Sequence, residues 1–236
     1  MFLRMTPAAP LLVRRCAMTI LALALAPLVA FADVPPQSTD SVIATRARKV
    51  LESITSTTYV HKTDIDEKAG KFNCDCSGLV GFIVKKELPE HFKVLPVSGS
   101  GKRPRAVDFA NVFLAASTTP QAGALWQRID KLADARPGDV MAWKKDPQPP
   151  TGNTGHVVVI DAVPREVSAG LWAVTIIDST TKGHEADTRK TGETGVGRGT
   201  MYFKTDDAGS IVSRAARSAK GPWESSPTAI GRPILK

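Results

Sequence analysis

A cysteine stands directly before an apolar helical stretch, in the run Asp75-Cys76-Ser77-Gly78-Leu79-Val80. A helix start presents unpaired backbone N–H groups and the positive end of the helix dipole, and both favour the thiolate form of a cysteine near neutral pH. Eighty residues later, His156 opens the apolar run Val157-Val158-Val159-Ile160, which is typical of a buried strand. A thiol followed by an imidazole on a strand can act as a nucleophile and a general base.

A base histidine needs a third group that orients its ring. Asp161 and Asp178 are the acids close to His156 in the sequence. Side chains alternate faces along a strand, so Asp161 lies opposite His156 and should not reach it. We therefore predict Asp178 as the orienting group, with His184 as the next candidate.

The pairing register of two predicted strands supports this choice. We predict strands over 155–163 and 171–178, joined as a hairpin. Val163 then pairs with Leu171, and the same register places Asp178 directly opposite the histidine. Directly opposed residues share a face of the sheet, at about 4.5–5.5 Å between Cβ atoms.

A second cysteine, Cys74, lies two residues before the proposed nucleophile. One intervening residue makes a disulfide to Cys76 strained and reducible. We expect Cys74 to be a small buried residue, with a redox cap on Cys76 as the alternative.

The order of the predicted elements is helices first and antiparallel strands later, which indicates the α+β class. Helices are predicted over 41–56, 76–87 and 107–116, strands over 140–143, 155–163 and 171–178, and a last hairpin from 201–203 and 211–212. Residues 59–72 are predicted to form a polar loop and the glycine-rich run 195–199 a turn. The remaining histidines are predicted to lie on the surface: His61, His91 and His184.

The N-terminus has the pattern of a secretory signal. Arginines at positions 4, 14 and 15 precede the mostly apolar run Cys16–Phe31, and Ala30-Phe31-Ala32 is an A-x-A cleavage pattern. We predict a signal peptide over 1–32, cleaved after Ala32, and export to the periplasm or the cell exterior. The alternative is a membrane anchor, but the apolar run is short for a span, so no stable membrane span is expected after processing.

The remaining chain is predicted to be a catalytic domain over 33–217 followed by a Pro- and Ser-rich surface tail over 218–236. Removing residues 1–32, with three arginines and no acids, lowers the formal net charge from +8 to +5. Basic runs with interleaved aromatic residues are absent from the sequence, so we expect no nucleic-acid partner. The sequence offers no convincing zinc ligand set, and we expect neither a metal nor another cofactor.

Three stretches together resemble the NlpC-type cell-wall cysteine peptidases. Phe72-Asn73-Cys74-Asp75-Cys76-Ser77-Gly78-Leu79-Val80 resembles their nucleophile motif, Gly155-His156-Val157-Val158-Val159 their histidine strand, and Ile176-Ile177-Asp178-Ser179 the strand of their third residue. The turn Pro137-Gly138-Asp139-Val140 is similar to the one before their first core strand. The resemblance spans roughly residues 41 to 179, in the family's order of motifs.

The resemblance implies a papain-like α+β fold, which we expect as N-terminal helices packed on a small antiparallel sheet. It implies hydrolysis of amide bonds in peptidoglycan stem peptides, and it places Tyr59 on the substrate side. Asp75, Ser77 and Gly155 flank the predicted nucleophile and base, and we expect them to contact substrate too. The backbone N–H of Cys76 is the expected oxyanion donor.

Other activities remain compatible with these residues. Related amidases share the chemistry, and an amidase or acyltransferase could act on an amide outside the wall. A catalytically silent module that binds wall peptides is the alternative from a different class.

Overall fold

Helices form the first part of the described chain and strands most of the rest. The computed structural model describes residues 41–98, 102–149 and 152–235; the predicted signal peptide and the residues up to 40 lie outside this part. The helices are α1 Val42–Ser53, α2 Cys76–Glu87, α3 Pro89–Lys93 and α4 Ala106–Ala115. The strands are β1 Ser56–Thr58, β2 Asp64–Asp66, β3 Lys71–Asn73, β4 Trp126–Ile129, β5 Val140–Lys144, β6 Gly155–Ile160, β7 Arg165–Ser168, β8 Leu171–Thr180, β9 Gly195–Thr205, β10 Ile211–Ala215 and β11 Thr228–Pro233.

Eight of the strands form one antiparallel sheet. Seven follow the order β10-β9-β8-β6-β5-β11-β4, and β7 pairs with β8 beside this path. A separate small sheet has the order β1-β3-β2. The predicted α+β class is confirmed, but the expectation of a small sheet is wrong. The sheet is larger because distant segments without clear strand patterns, including β4 and β11, join it.

Helix α2 begins at Cys76, as predicted from the sequence. Asp75 is its N-cap, and its Oδ1 accepts the backbone N–H of Gly78 at 2.7 Å, which satisfies one of the donors that a helix start leaves unpaired. The apolar face of α2 is buried through Leu79, Val80, Ile83 and Val84. Cys76 is therefore held in place by the capped start of α2 and by the buried face of that helix.

The central strand β6 supplies apolar side chains to both faces of the sheet. Val157 and Val159 are fully buried in the cluster that contains the inner faces of α1, α2 and α4. Val158 and Ile160 are buried in a second cluster with residues of β8 and β9. This continuous apolar run is what a strand covered on both faces requires.

The C-terminal segment is part of the sheet. Strand β11 lies between β5 and β4, where Ile230 pairs with both Met141 and Ile129. The predicted surface tail over 218–236 is therefore wrong for these residues. The run Thr228-Ala229-Ile230 is too short to stand out beside prolines and serines, and its strand is created by pairing with segments about 90 and about 100 residues away.

Three further predictions are wrong. The glycine-rich run 195–199, expected as a turn, is the first half of β9, and the expected loop 59–72 contains β2 and the start of β3. His91, expected on the surface, is buried, with Nε2 3.1 Å from the carbonyl oxygen of Ile234. In the described ranges, no helix is long and apolar enough to cross a membrane.

An ion pair joins β11 to the turn that precedes β5. Arg232 donates from Nε and Nη2 to the two carboxylate oxygens of Asp139, each at 2.8 Å. Asp139 is 2% exposed. A buried carboxylate depends on such a partner, since losing it leaves an uncompensated charge.

Arg232→Ala should therefore lower the free energy of unfolding by about 2–3 kcal/mol, a figure reduced from that of a fully buried pair because Arg232 is partly exposed. Urea unfolding followed by circular dichroism measures the change. Arg165→Ala, an exposed arginine of β7, is the matched control and should change stability by about 0.5 kcal/mol or less. Equal stability of the two variants would contradict the structural role of the pair.

Candidate active site

Cys76 is the first residue of α2 and is 4% exposed. The loop that leads into it is bound on two sides. The N–H of Cys74 donates to the carbonyl of Thr58 at 3.1 Å, and the hydroxyl of Ser179 donates to the carbonyl of Cys74 at 2.6 Å. Because Ser179 follows Asp178 on β8, this bond fixes the loop before Cys76 to the strand that carries the predicted third residue.

Cys74 is a buried residue, as predicted. It is fully buried and makes no disulfide. Burial, and then the charge of Asp75, raises the pKa of the Cys74 thiol to about 12. A thiol held in its neutral form is a poor nucleophile, so Cys74 does not compete with Cys76 as the candidate nucleophile.

His156 and Asp178 form a short hydrogen bond. Nε2 of His156 lies 2.6 Å from Oδ2 of Asp178. The carboxylate is fully buried, whereas the imidazole is 16% exposed. Since Asp178 occupies Nε2, the ring nitrogen left to face Cys76 is Nδ1, and the charge of Cys76 is one of the causes that raise the pKa of His156. The structure thus places His156 and Asp178 in direct contact, with Cys76 close enough for its charge to act on His156.

The predicted register is displaced by two residues. Val159 pairs with Ile177, and Ile160 pairs with Ile176, so Asp178 lies diagonal to His156 instead of directly opposite. A two-residue displacement keeps every side chain on its predicted face. The displacement arises because the residues after Val163 form the additional strand β7, with an irregularity in its pairing to β8.

Asp161 points to the opposite face, as predicted. Its carboxylate accepts from Nε of Arg48 at 2.7 Å and from Nε of Arg198 at 2.5 Å. These contacts account for a buried acid without any role at the site.

Two further side chains, besides His156, bind the carboxylate of Asp178, and the sequence did not predict these contacts. His184, the alternative third residue, directs Nε2 to Oδ2 of Asp178 at 3.0 Å, and Arg189 donates from Nη2 to Oδ1 at 3.0 Å. The surface location predicted for His184 is wrong, since its side chain is 4% exposed. Arg189 is 8% exposed, and its position after a polar loop gave no signal of this contact.

These contacts shift the pKa values of Asp178 and His156. Burial alone would raise the pKa of Asp178, but hydrogen bonds from His156 and His184 outweigh it and hold that pKa well below its ordinary value. Burial alone would lower the pKa of His156, but the Cys76 charge and hydrogen bonds with Asp178 and Cys76 raise it to about 10. His156 is therefore held as an imidazolium at neutral pH.

Gly155 sets the entry of β6. Its φ is 142°, and a Cβ there would lie 2.0 Å from the carbonyl oxygen of Trp143. Only glycine tolerates this conformation and this approach. The indole of Trp143 lies against the imidazole of His156, with ring centroids 5.1 Å apart, so the strand entry and its neighbour fix the ring together.

A cleft of about 610 Å³ opens beside Cys76. All four residues predicted to contact substrate line it, together with several basic side chains. The predicted lining residues are Tyr59, Asp75, Ser77 and Gly155, and the basic ones are Lys62, Lys102, Arg103 and Arg105. Burial, followed by the negative charges of Cys76 and Asp75, raises the pKa of Tyr59 well above its ordinary value, so its phenol stays protonated.

Arg103 is the cleft residue that sequence reasoning missed. Its Nη2 donates to Oδ1 of Asp75 at 2.7 Å, and its Nη1 donates to the hydroxyl of Ser77 at 2.6 Å. Asp75 and Ser77 are therefore held by the chain itself, on either side of the sulfur. The basic run Lys102-Arg103-Pro104-Arg105 was the available signal, but only folding places it beside Cys76.

Comparison of the chain with models of protein families, with curated proteins and with solved structures finds no significant match. Within the described ranges, there is no group of three or more His, Cys, Asp or Glu side chains that could hold a metal ion.

The raised pKa of His156 predicts a pH-dependent contribution to stability. The folded protein binds this proton more tightly than the unfolded chain, whose histidines titrate near their ordinary value of about 6.5. The contribution is therefore complete below pH about 6.5 and is lost as the pH rises through about 10.

Urea unfolding of the wild type and His156→Gln from pH 6 to pH 10 measures this contribution. The stability difference between the two proteins should shrink as the pH rises. His91→Gln, which removes another buried imidazole, is the control. A difference that stays constant over this range would contradict the proton linkage at His156.

Proposed function

We propose that this protein is a cysteine hydrolase that cleaves amide bonds. The contact that carries the proposal is the 2.6 Å hydrogen bond between His156 and the buried Asp178, formed beside a cysteine at a helix start. A thiolate, an imidazole and an orienting carboxylate supply the groups that acyl transfer to sulfur requires.

In the proposed reaction, the thiolate of Cys76 attacks the carbonyl carbon of the amide. The N–H of Cys76 lies in the first turn of α2, where donors have no helical acceptor, and it stabilises the developing oxyanion. His156 then gives its proton to the leaving amine, and a thioester forms. Water, deprotonated by the neutral imidazole, hydrolyses the thioester and restores the thiolate.

The proposed substrate is a peptidoglycan stem peptide, cleaved by a papain-like NlpC-type domain after export. The three sequence motifs named above support the family, and the cleft supports an anionic peptide. Four basic side chains line the cleft, and the one acid among its lining residues, Asp75, is already paired with Arg103. A carboxylate-bearing substrate fits this charge.

A related amidase or acyltransferase would use the same three residues, and a silent module would bind the same peptides without cleaving them. Purified peptidoglycan fragments incubated with the protein distinguish these possibilities. Mass spectrometry should find new fragments with the wild type, and their masses identify the bond cleaved.

Cys76→Ala and His156→Ala should each lower turnover about 10³-fold or more, because the residues of a triad act as a unit. Asp178→Asn should cost less than either. Cys74→Ser is the matched control for the loss of a thiol and should remain active. Cleavage by Cys76→Ala at the wild-type rate would overturn the mechanism, and fragments bound but never cleaved by the wild type would favour the binding module.

The charge of the cleft yields a separate prediction. Lys62 and Lys102 are exposed in the cleft, so the double variant Lys62→Gln, Lys102→Gln should raise KM for a carboxylate-bearing peptide roughly three- to tenfold, with little change in kcat.

Steady-state kinetics at low and high salt measure the effect, which salt should weaken by screening. The control removes the same charge elsewhere, with the double variant Lys49→Gln, Lys68→Gln in a separate hollow beside α1. Equal KM values for the two double variants would show that cleft charge does not select substrate.

A further inference from the structure

The segment between β8 and β9 lies against the first half of β9. Glu185 and Thr200 exchange backbone hydrogen bonds at 3.2 and 2.8 Å, and the N–H of Thr188 donates to the carbonyl of Arg198 at 2.8 Å. This pairing fixes the backbone of the segment, so its side chains have defined positions over the neighbouring strands.

Alternate glycines of β9 leave the space that these side chains occupy. Gly197 pairs directly with Asp178. A Cβ at Gly197 would lie 2.5 Å from Nε of Arg189, and one at Gly199 would lie 2.8 Å from Cβ of His184. Directly paired residues share a face of the sheet. The glycines therefore leave a stretch of that face without side chains, next to the carboxylate of Asp178.

His184 spans the distance between that carboxylate and a fixed backbone oxygen. Nε2 lies 3.0 Å from Oδ2 of Asp178, and Nδ1 lies 2.9 Å from the carbonyl oxygen of Ala216. Each contact needs an N–H on the ring, because a carbonyl and an ionised carboxylate only accept hydrogen bonds.

Arg189 binds the other oxygen of Asp178 and is itself fixed by Asp187. It donates from Nε and Nη2 to the two carboxylate oxygens of Asp187, at 2.8 and 2.7 Å. Its Nη1 donates to the carbonyl of Gly195 at 2.7 Å. Both oxygens of Asp178 are thus bound by side chains of one segment, in addition to His156.

We propose that His184 and Arg189 are positioning residues that hold the carboxylate of Asp178 on His156. The inference rests on the proposed thiol mechanism and adds a second imidazole and a guanidinium to it. With both oxygens bound, the carboxylate cannot rotate away from Nε2 of His156. His156 then keeps its Nδ1 toward Cys76, which is the arrangement that proton transfer with the sulfur requires.

The test measures the reactivity of the Cys76 thiol and needs no substrate. Alkylation of Cys76 by iodoacetamide, located by mass spectrometry and measured against pH, reports the thiolate–imidazolium pair. His184→Ala should lower the rate constant near neutral pH about ten- to a hundredfold, because it removes a hydrogen bond to a charged group. His184→Gln, which retains an N–H donor, should recover most of the rate. His91→Gln should match the wild type.

A spectroscopic measurement keeps the test independent of folding defects. The chain has four histidines, so ¹⁵N-histidine labelling gives few imidazole signals, and Asp178→Asn should shift those of His156 and His184 but not those of His91. If His184 only supports the fold, His184→Ala lowers the unfolding midpoint and leaves the alkylation profile unchanged. That result, or unshifted His184 signals in Asp178→Asn, overturns the inference.

The outcomes separate this inference from the proposed function. Peptide cleavage by a wild type whose alkylation profile is insensitive to His184 overturns the positioning role alone. Fast, His184-dependent alkylation supports the positioning role even when no wall fragment is cleaved.

Discussion

The buried carboxylate of Asp178 is the constraint around which the site is arranged. A fully buried acid is costly unless cations and donors compensate it, and here His156, His184 and Arg189 all bind its two oxygens. The same group that must be compensated is the one that orients the imidazole. Stability and alignment therefore depend on the same hydrogen bonds.

Cys76, the proposed nucleophile, is connected to the strand of this carboxylate by a hydrogen bond. Ser179, the neighbour of Asp178, binds the carbonyl of Cys74, two residues before Cys76. The helix start is capped by Asp75, whose carboxylate is in turn held by Arg103. The Ser179 bond connects the loop before α2 to β8 across 105 residues of sequence, so it helps to fix the position of Cys76 relative to the strand that carries Asp178.

Much of the candidate site could be predicted, because it depends on local sequence patterns or on the alternation of side chains between the two faces of a strand. The start of α2 follows from a cap and an apolar run, and the choice of Asp178 over Asp161 follows from strand alternation. The exact partner opposite His156 could not be predicted, since β7 changes the length of the connection. The error was an even number of residues, and only an odd one moves a side chain to the other face.

The missed features depend on side-chain and strand contacts that local sequence patterns do not show, even where the partners lie only 6 or 11 residues apart. The glycines of β9 indicate a turn when taken alone, because nothing local reveals that Arg189 and His184 fill the space above them. Their alternate spacing does have a physical meaning: in a strand it clears a single face. A G-x-G-x-G run after a strand that carries a buried acid near its end can therefore indicate a segment that covers the glycines, and the polar residues of that segment are then candidates for contacts with the acid.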